Sequence, residues 1–164
     1  MILQALALTV CASAIGGCAG TGEAPAATPV MELTLTSETG RTLKLSALRG
    51  RASVLFLFAT YDPSSQLALT PLLAATQHED RVTFVGIAVQ PDAQAFLRPY
   101  REALDIPFAL YFDGTQALLQ GTTALGKLPG VPAFVALDAQ GHVRKTFVGV
   151  PNAGDVQSVI ESAL

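Results

Sequence analysis

The sequence predicts an α/β domain, a three-layer α/β/α sandwich with an N-terminal β-hairpin. Three observations carry that expectation. Two near-continuous apolar runs, residues 53–59 and 82–89, read as strands covered on both faces. Each is followed by a stretch that reads as helix, which implies a parallel core with right-handed crossovers. Alternating segments at both ends of the domain, around Glu38-Thr39-Gly40 and around Asp138-Ala139-Gln140-Gly141, add antiparallel hairpins.

Taken in order, residues 30–36 alternate, with Met31, Leu33 and Leu35 on one face, as a half-buried strand does. Thr42-Leu43-Lys44-Leu45 resumes the alternation and completes the first hairpin. The apolar strand 53–59 runs through a short turn into a helix over about 63–77. A second buried strand, 82–89, leads to a helix over 92–104, with Asp92 as its cap and Ala95, Phe96 and Leu97 near its inner face. Residues 108–112 form a short strand closed by Asp113-Gly114, and 115–123 a helical turn. Strands 133–137 and 143–148 make the late hairpin, and Asn152 opens a final helix to Ala163. No internal repeat is visible.

Half of the 164 residues are apolar and only 14% are charged, a composition that builds a core and excludes a disordered chain. The net charge of −3, with no basic stripe, excludes nucleic acid as an expected partner. The first charge is Glu23. Ahead of it an apolar run over 2–10 and a tail of small residues read as a secretory signal, too short and too rich in Gly and Ala to span a membrane. Ile15-Gly16-Gly17-Cys18 resembles a bacterial lipobox, in which the chain is cut before the cysteine and its thiol takes a diacylglycerol. The expected organisation is a signal peptide over 1–17, a flexible tether over 18–30 and one folded domain over 31–164. Such a protein is an envelope lipoprotein facing the periplasm. Ala19, rather than an acid, follows Cys18, which makes the outer membrane the default destination.

The most informative stretch lies between the first buried strand and the first helix. Leu57-Phe58-Ala59-Thr60-Tyr61-Asp62-Pro63-Ser64, with Ser65 after it, resembles the Phe-Trp-Ala-Thr-Trp-Cys-Pro-Pro-Cys segment of thioredoxin-like thiol–disulfide oxidoreductases of the TlpA/ResA type, in the redoxin superfamily. Gly130-Val131-Pro132-Ala133-Phe134 is similar to the run at which that family carries a cis-proline. The resemblance covers about residues 31–164 and implies a thioredoxin-like fold. It also implies that Pro132 is cis, faces the 62–65 turn, and lies in a loop whose backbone pairs with bound substrate.

The family's two cysteine positions hold Asp62 and Ser65. Phe56 stands where thioredoxins place an acid that moves protons, and Pro71 resembles the family's helix-kinking proline, one residue late. Thiol–disulfide exchange requires a thiolate, and the only cysteines are Cys11, in the expected signal, and Cys18. A serine nucleophile at Ser65 would need a neighbouring base, and the only histidines are His78 and His142. No Gly-rich phosphate cradle or metal-ligand spacing is present, so neither a cofactor nor a metal is expected. Asp62 followed by Pro63 is instead a strong helix-opening pair, an acid at the N-cap and proline at the first helical position.

The expected function is therefore a redox-inactive, pseudoenzyme-like binding or assembly module. Its groove, between Tyr61-Asp62 and Val131-Pro132, would hold an extended peptide or an envelope protein by backbone pairing. Tyr61 reads equally as an exposed contact and as a core filler. Two alternatives stand beside this reading: a redoxin-type antioxidant or exchange enzyme with an unrecognised nucleophile, and a structural subunit of an envelope complex.

Overall fold

The computed structural model describes residues 30–164. A seven-stranded sheet runs through the molecule in the order β2-β1-β5-β4-β3-β6-β7. Its strands are β1 (Thr34–Ser37), β2 (Thr42–Lys44), β3 (Ala52–Phe58), β4 (Val82–Ala88), β5 (Ala109–Phe112), β6 (Ala133–Leu137) and β7 (Val143–Val148). The helices are α1 (Pro63–Thr76), α2 (Gln94–Ala103), α3 (Ala117–Gln120) and α4 (Ala153–Ala163). Strands β3, β4 and β5 are parallel, and both edges are antiparallel, with β1 against β5 and β6 against β3.

All seven residues of β3 are buried, because both faces of the sheet are covered. On one face Val54, Phe56 and Phe58 pack against Ala68, Leu69 and Leu72 of α1, Leu97 and Tyr100 of α2, and Val156, Val159 and Ile160 of α4. On the other, Leu55, Leu57, Val85 and Ile87 meet Met31, Leu33, Leu45 and Leu118. The three layers are thus unequal, since the second covering layer consists of 3-10 turns, the single turn of α3 and loop. Gly86 of β4 leaves room for the Leu110 side chain: a Cβ there would collide with Leu110 Cδ2.

Three sequence expectations are corrected. Residues 30–36 do not form one strand; Val30–Glu32 is a 3-10 turn and β1 begins at Thr34. Met31, Leu33 and Leu35 all still face inward, so burial follows the alternation while hydrogen bonding starts later. Asp92 does not cap α2. The N-cap position is Ala93, already helical at φ −55°, ψ −34°, so the chain enters α2 from a turn and presents no side-chain cap. The inner face of α2 is Ala93, Leu97 and Tyr100, spaced at helical intervals, while Phe96 is 46% exposed. Residues 115–123 hold one helical turn, as expected, stopped at Gly121 in the left-handed region (φ +71°). A Cβ on Gly121 would come within 2.7 Å of Lys127 Cα, so the chain folds back on itself there.

Candidate functional site

The site lies where β3 gives way to α1. Val89 at the end of β4 donates its amide to the Phe58 carbonyl (3.0 Å), and the turn that follows β3 closes with the Asp62 amide on the Ala59 carbonyl (3.1 Å). Gln90, 4% exposed, fixes Thr60: its Oε1 accepts the Thr60 amide at 2.6 Å and its Nε2 donates to Thr60 Oγ1 at 2.8 Å.

Asp62 occupies the N-cap of α1 in extended conformation. Its Oδ1 accepts the Ser64 amide (3.3 Å) and its Oδ2 accepts both the Ser65 amide (2.8 Å) and the Ser65 hydroxyl (2.7 Å). Ser65 is fully buried, and its Oγ also accepts the Ala59 amide at 3.3 Å. Pro63 has no N–H, and the Gln66 amide donates to the Asp62 carbonyl (3.2 Å). Every amide of the helix start is therefore consumed within the chain. The positive helix end that could stabilise a thiolate instead holds the Asp62 carboxylate. Partial burial pushes the Asp62 carboxyl up; hydrogen bonds from the Ser65 hydroxyl, the Ser65 amide and the Ser64 amide outweigh it, and the group titrates below its ordinary value.

This arrangement is poorly suited to nucleophilic catalysis. The Ser65 hydroxyl is shielded from solvent, and its hydrogen-bond acceptor is a carboxylate made less basic by the same contacts. Neither histidine supplies a base. His78 follows the C-terminal end of α1, roughly 20 Å along the helix from Asp62 at 1.5 Å per residue. His142 sits in the β6–β7 turn, with Nδ1 3.2 Å from Asp138 Oδ2. Among the described residues no three His, Cys, Asp or Glu side chains cluster as metal ligands do.

The Val131–Pro132 peptide bond is cis. Leu57 pairs with Ala133 across β3 and β6, and continuing that antiparallel register carries Val131 level with Ala59. The Pro132 carbonyl accepts the Gly149 amide (2.8 Å), whereas Val131 makes no hydrogen bond through N–H or C=O among the described residues. Between this loop and the β3–α1 turn lies a cavity of about 170 Å³, lined by Tyr61, Val89, Gln90, Leu118, Leu128 and Val131 among others. Of the four groove residues expected from sequence, Tyr61 and Val131 share this cavity; Asp62 and Pro132 do not line it. Tyr61 is 74% exposed, which decides its reading as a surface contact and not a core filler. Cys18, with the signal and lipobox expectations, lies outside the described residues.

Three residues of the site escaped sequence reasoning. Gln90 gave no signal beyond a polar residue closing an apolar strand. Asp113, 2% exposed, holds the α3 loop: its carboxylate accepts the Thr115 amide (3.0 Å) and hydroxyl (2.6 Å) and the Leu118 amide (2.8 Å), which places Leu118 in the cavity wall. Tyr100 of α2 stacks on Phe58 with ring centroids 5.2 Å apart, and its buried hydroxyl has no partner among the described residues. Burial, together with the charge of Asp62, pushes that phenol up to about 12. Phe56, at the position where the resemblance places a proton-moving acid, is core, stacked on Phe58 at 5.1 Å.

A parallel β3-α1-β4 unit combined with an antiparallel β6-β7-α4 unit, with a cis-proline just before β6, is the arrangement of the thioredoxin-like class. The chain belongs to the Redoxin family, whose model matches residues 21–164. No curated protein matches it. Among solved structures it is similar to a thioredoxin-family thiol:disulfide interchange protein from Chlorobium tepidum (23% identity, TM-score 0.64, covering 84% of this chain and 96% of that one). It is also similar to a secreted Mycobacterium tuberculosis disulfide oxidoreductase (22%, 0.57, 78% and 96%) and to StoA from Bacillus subtilis (15%, 0.59, 77% and 94%). At these identities the likeness establishes the fold. No helix among the described residues is long and apolar enough to cross a membrane.

Proposed function

We propose that this redoxin domain is a binding module in which thiol chemistry has been replaced by a capped helix end, anchored in the cell envelope through a lipid on Cys18. The observation that carries this reading is the closed hydrogen-bond set of Asp62 and Ser65 at the positions of the family's cysteines. With both oxygens of Asp62 and the Ser65 hydroxyl engaged internally, the site presents shape and backbone instead of a reactive atom. The N–H and C=O of Val131, unpartnered among the described residues and beside an open cavity, supply what an extended segment needs to pair with the loop. The lipobox-like Ile15 to Cys18 and the secreted nature of one structural neighbour support an envelope location, with outer-membrane delivery following from Ala19.

The test is partner capture from solubilised membranes by the full chain, compared with Tyr61→Ala and Val131→Arg. An exposed aromatic at an interface centre costs about 2 kcal/mol or more when truncated. Both variants are expected to lose the partner while keeping their melting temperature. Unchanged capture by both, with the fold intact by circular dichroism, would favour a structural subunit that does not use the groove.

Family membership favours one other reading, a redoxin-type oxidoreductase with a nucleophile outside the 62–65 turn. A disulfide-reporter assay separates it from the binding module, because only the enzyme turns over.

A further inference from the structure

The two layers that cover the sheet carry opposite charge. Helices α1, α2 and α4, with the loops that follow α1 and α2, span residues 63–81, 94–108 and 153–164 and hold three cations against six acids. The other layer consists of the 3-10 turns Val30–Glu32 and Leu45–Leu48 and the loop from β5 to β6, with β2 at its border. Its exposed charges are Arg41, Lys44, Arg49, Arg51 and Lys127, against Glu32 alone.

The fold sets these positions. Lys44 and Arg49 flank the two ends of the turn Leu45–Leu48, whose Leu45 and Leu48 pack on the sheet face. Arg51 donates its amide to the Leu48 carbonyl (3.2 Å). The Lys127 backbone lies against Gly121, between Leu125 and Leu128, which pack on the same face. None of the five cations makes an ion pair among the described residues. The acids beside them are occupied. Glu38, in the turn before β2, pairs with Arg101 of α2 (2.5 Å), and Asp113 is buried and bonded within its own loop. Asp138 lies in the turn whose Ala139 carbonyl accepts the Gly50 amide, and its carboxylate accepts the amides of Gln140 and His142.

The chain enters the domain through this basic layer. Met31 and Leu45 share the core beneath it, and the Leu45 amide donates to the Leu33 carbonyl (3.0 Å). Val30 is twelve residues after Cys18, a stretch that spans at most about 40 Å. A lipid on Cys18 would hold the domain within that distance of a bilayer, on the side that bears the unpaired cations.

We infer that this layer is a membrane-docking face, which lies on anionic phospholipid headgroups and turns the acidic helix layer away from the bilayer. The inference rests on the envelope reading and specifies how the anchored domain sits. A second copy presenting the same layer would meet like charge. Screening at physiological salt, with a Debye length of about 8 Å, limits the attraction. The layer therefore orients an anchored domain and does not by itself retain an unlipidated one.

Two measurements on the full chain test it. The first uses Cys18→Ser at low salt, with vesicles of phosphatidylcholine alone or mixed about two to one with phosphatidylglycerol. Only the anionic vesicles should bind, and high salt should release the protein. Each cation removed should weaken binding about fivefold, so Lys44→Ala with Arg49→Ala should weaken it about 25-fold. Both positions are exposed, and Arg98→Ala, on the helix layer, should change nothing. The second measurement places the acylated chain on anionic vesicles that contain a nitroxide-labelled lipid. Amide resonances of residues 44–51 should broaden by NMR while those of α4 stay sharp. Unchanged binding by the double variant, or equal broadening of both layers, would overturn the docking face. A native chain without lipid, whose Cys18→Ser form still binds anionic vesicles through Lys44 and Arg49, would remove the anchor and uphold the face. Binding of a polyglutamate peptide but not of anionic vesicles would assign the layer to an acidic protein and overturn membrane docking.

Discussion

Ser65 Oγ donates to Asp62 Oδ2 at 2.7 Å while accepting the Ala59 amide at 3.3 Å, so one buried hydroxyl ties the end of β3 to the start of α1. In a thiol–disulfide enzyme these two positions carry sulfur that must be free to react. Here they carry oxygens that each hold a hydrogen bond within the chain, and the junction becomes a structural clasp beside the cavity.

The cap should govern acid stability. The Asp62 carboxyl titrates lower in the folded chain than the ~3.9 of an unfolded aspartate, so its stabilisation is fully present above about pH 4 and is lost as pH falls through the folded value. Asp62→Ala is expected to cost about 0.5–2 kcal/mol at pH 7. Urea denaturation at pH 7 and at pH 2 checks this: the gap between the wild type and Asp62→Asn should shrink at the lower pH.

Removing the hydroxyl should cost more than an exposed polar contact would. Ser65→Ala leaves the Ala59 amide buried without an acceptor and strips Asp62 of one donor. A loss of about 1–3 kcal/mol is expected. Ser65→Thr restores the oxygen but adds a methyl group to a fully buried site, so equilibrium unfolding of the pair separates hydrogen bonding from packing.

Much of this was legible in the sequence. Continuous apolar runs located β3 and β4, and the Asp62-Pro63 pair located the start of α1, because burial on two faces and helix capping each leave a local mark. Of the cavity, only Tyr61 and Val131 were legible. Gln90 and Asp113 bond to residues brought near by tertiary folding or by an irregular loop, and nothing in their neighbours' identities records it. Asp92 misled for a related reason: a good capping residue caps only if the chain arrives extended, and here it arrives already turned.

Tyr100 offers an independent check of the core beneath the site. Its hydroxyl is buried without a partner among the described residues, so Tyr100→Phe should be neutral or stabilising. Tyr100→Ala should cost about 3–5 kcal/mol through loss of packing on Phe58. Thermal denaturation of the two variants distinguishes a structural ring from one whose hydroxyl serves the site.

The anchor is tested by fractionation. With a lipid on Cys18 the protein should partition with membranes, and Cys18→Ser should release it to the soluble fraction. Soluble, unacylated protein that retains Cys18 would remove the lipoprotein from the account.

The most direct measurement is insulin reduction by the full chain, by Cys18→Ser, and by Asp62→Cys combined with Ser65→Cys. The first two should show no turnover above buffer, since no thiolate is available at the site. The double variant should gain at most slow exchange, because Phe56 relays no proton, and should lose the stability of the cap. Turnover that persists in Cys18→Ser would contradict the account, since it would require a nucleophile that the Asp62–Ser65 clasp does not provide.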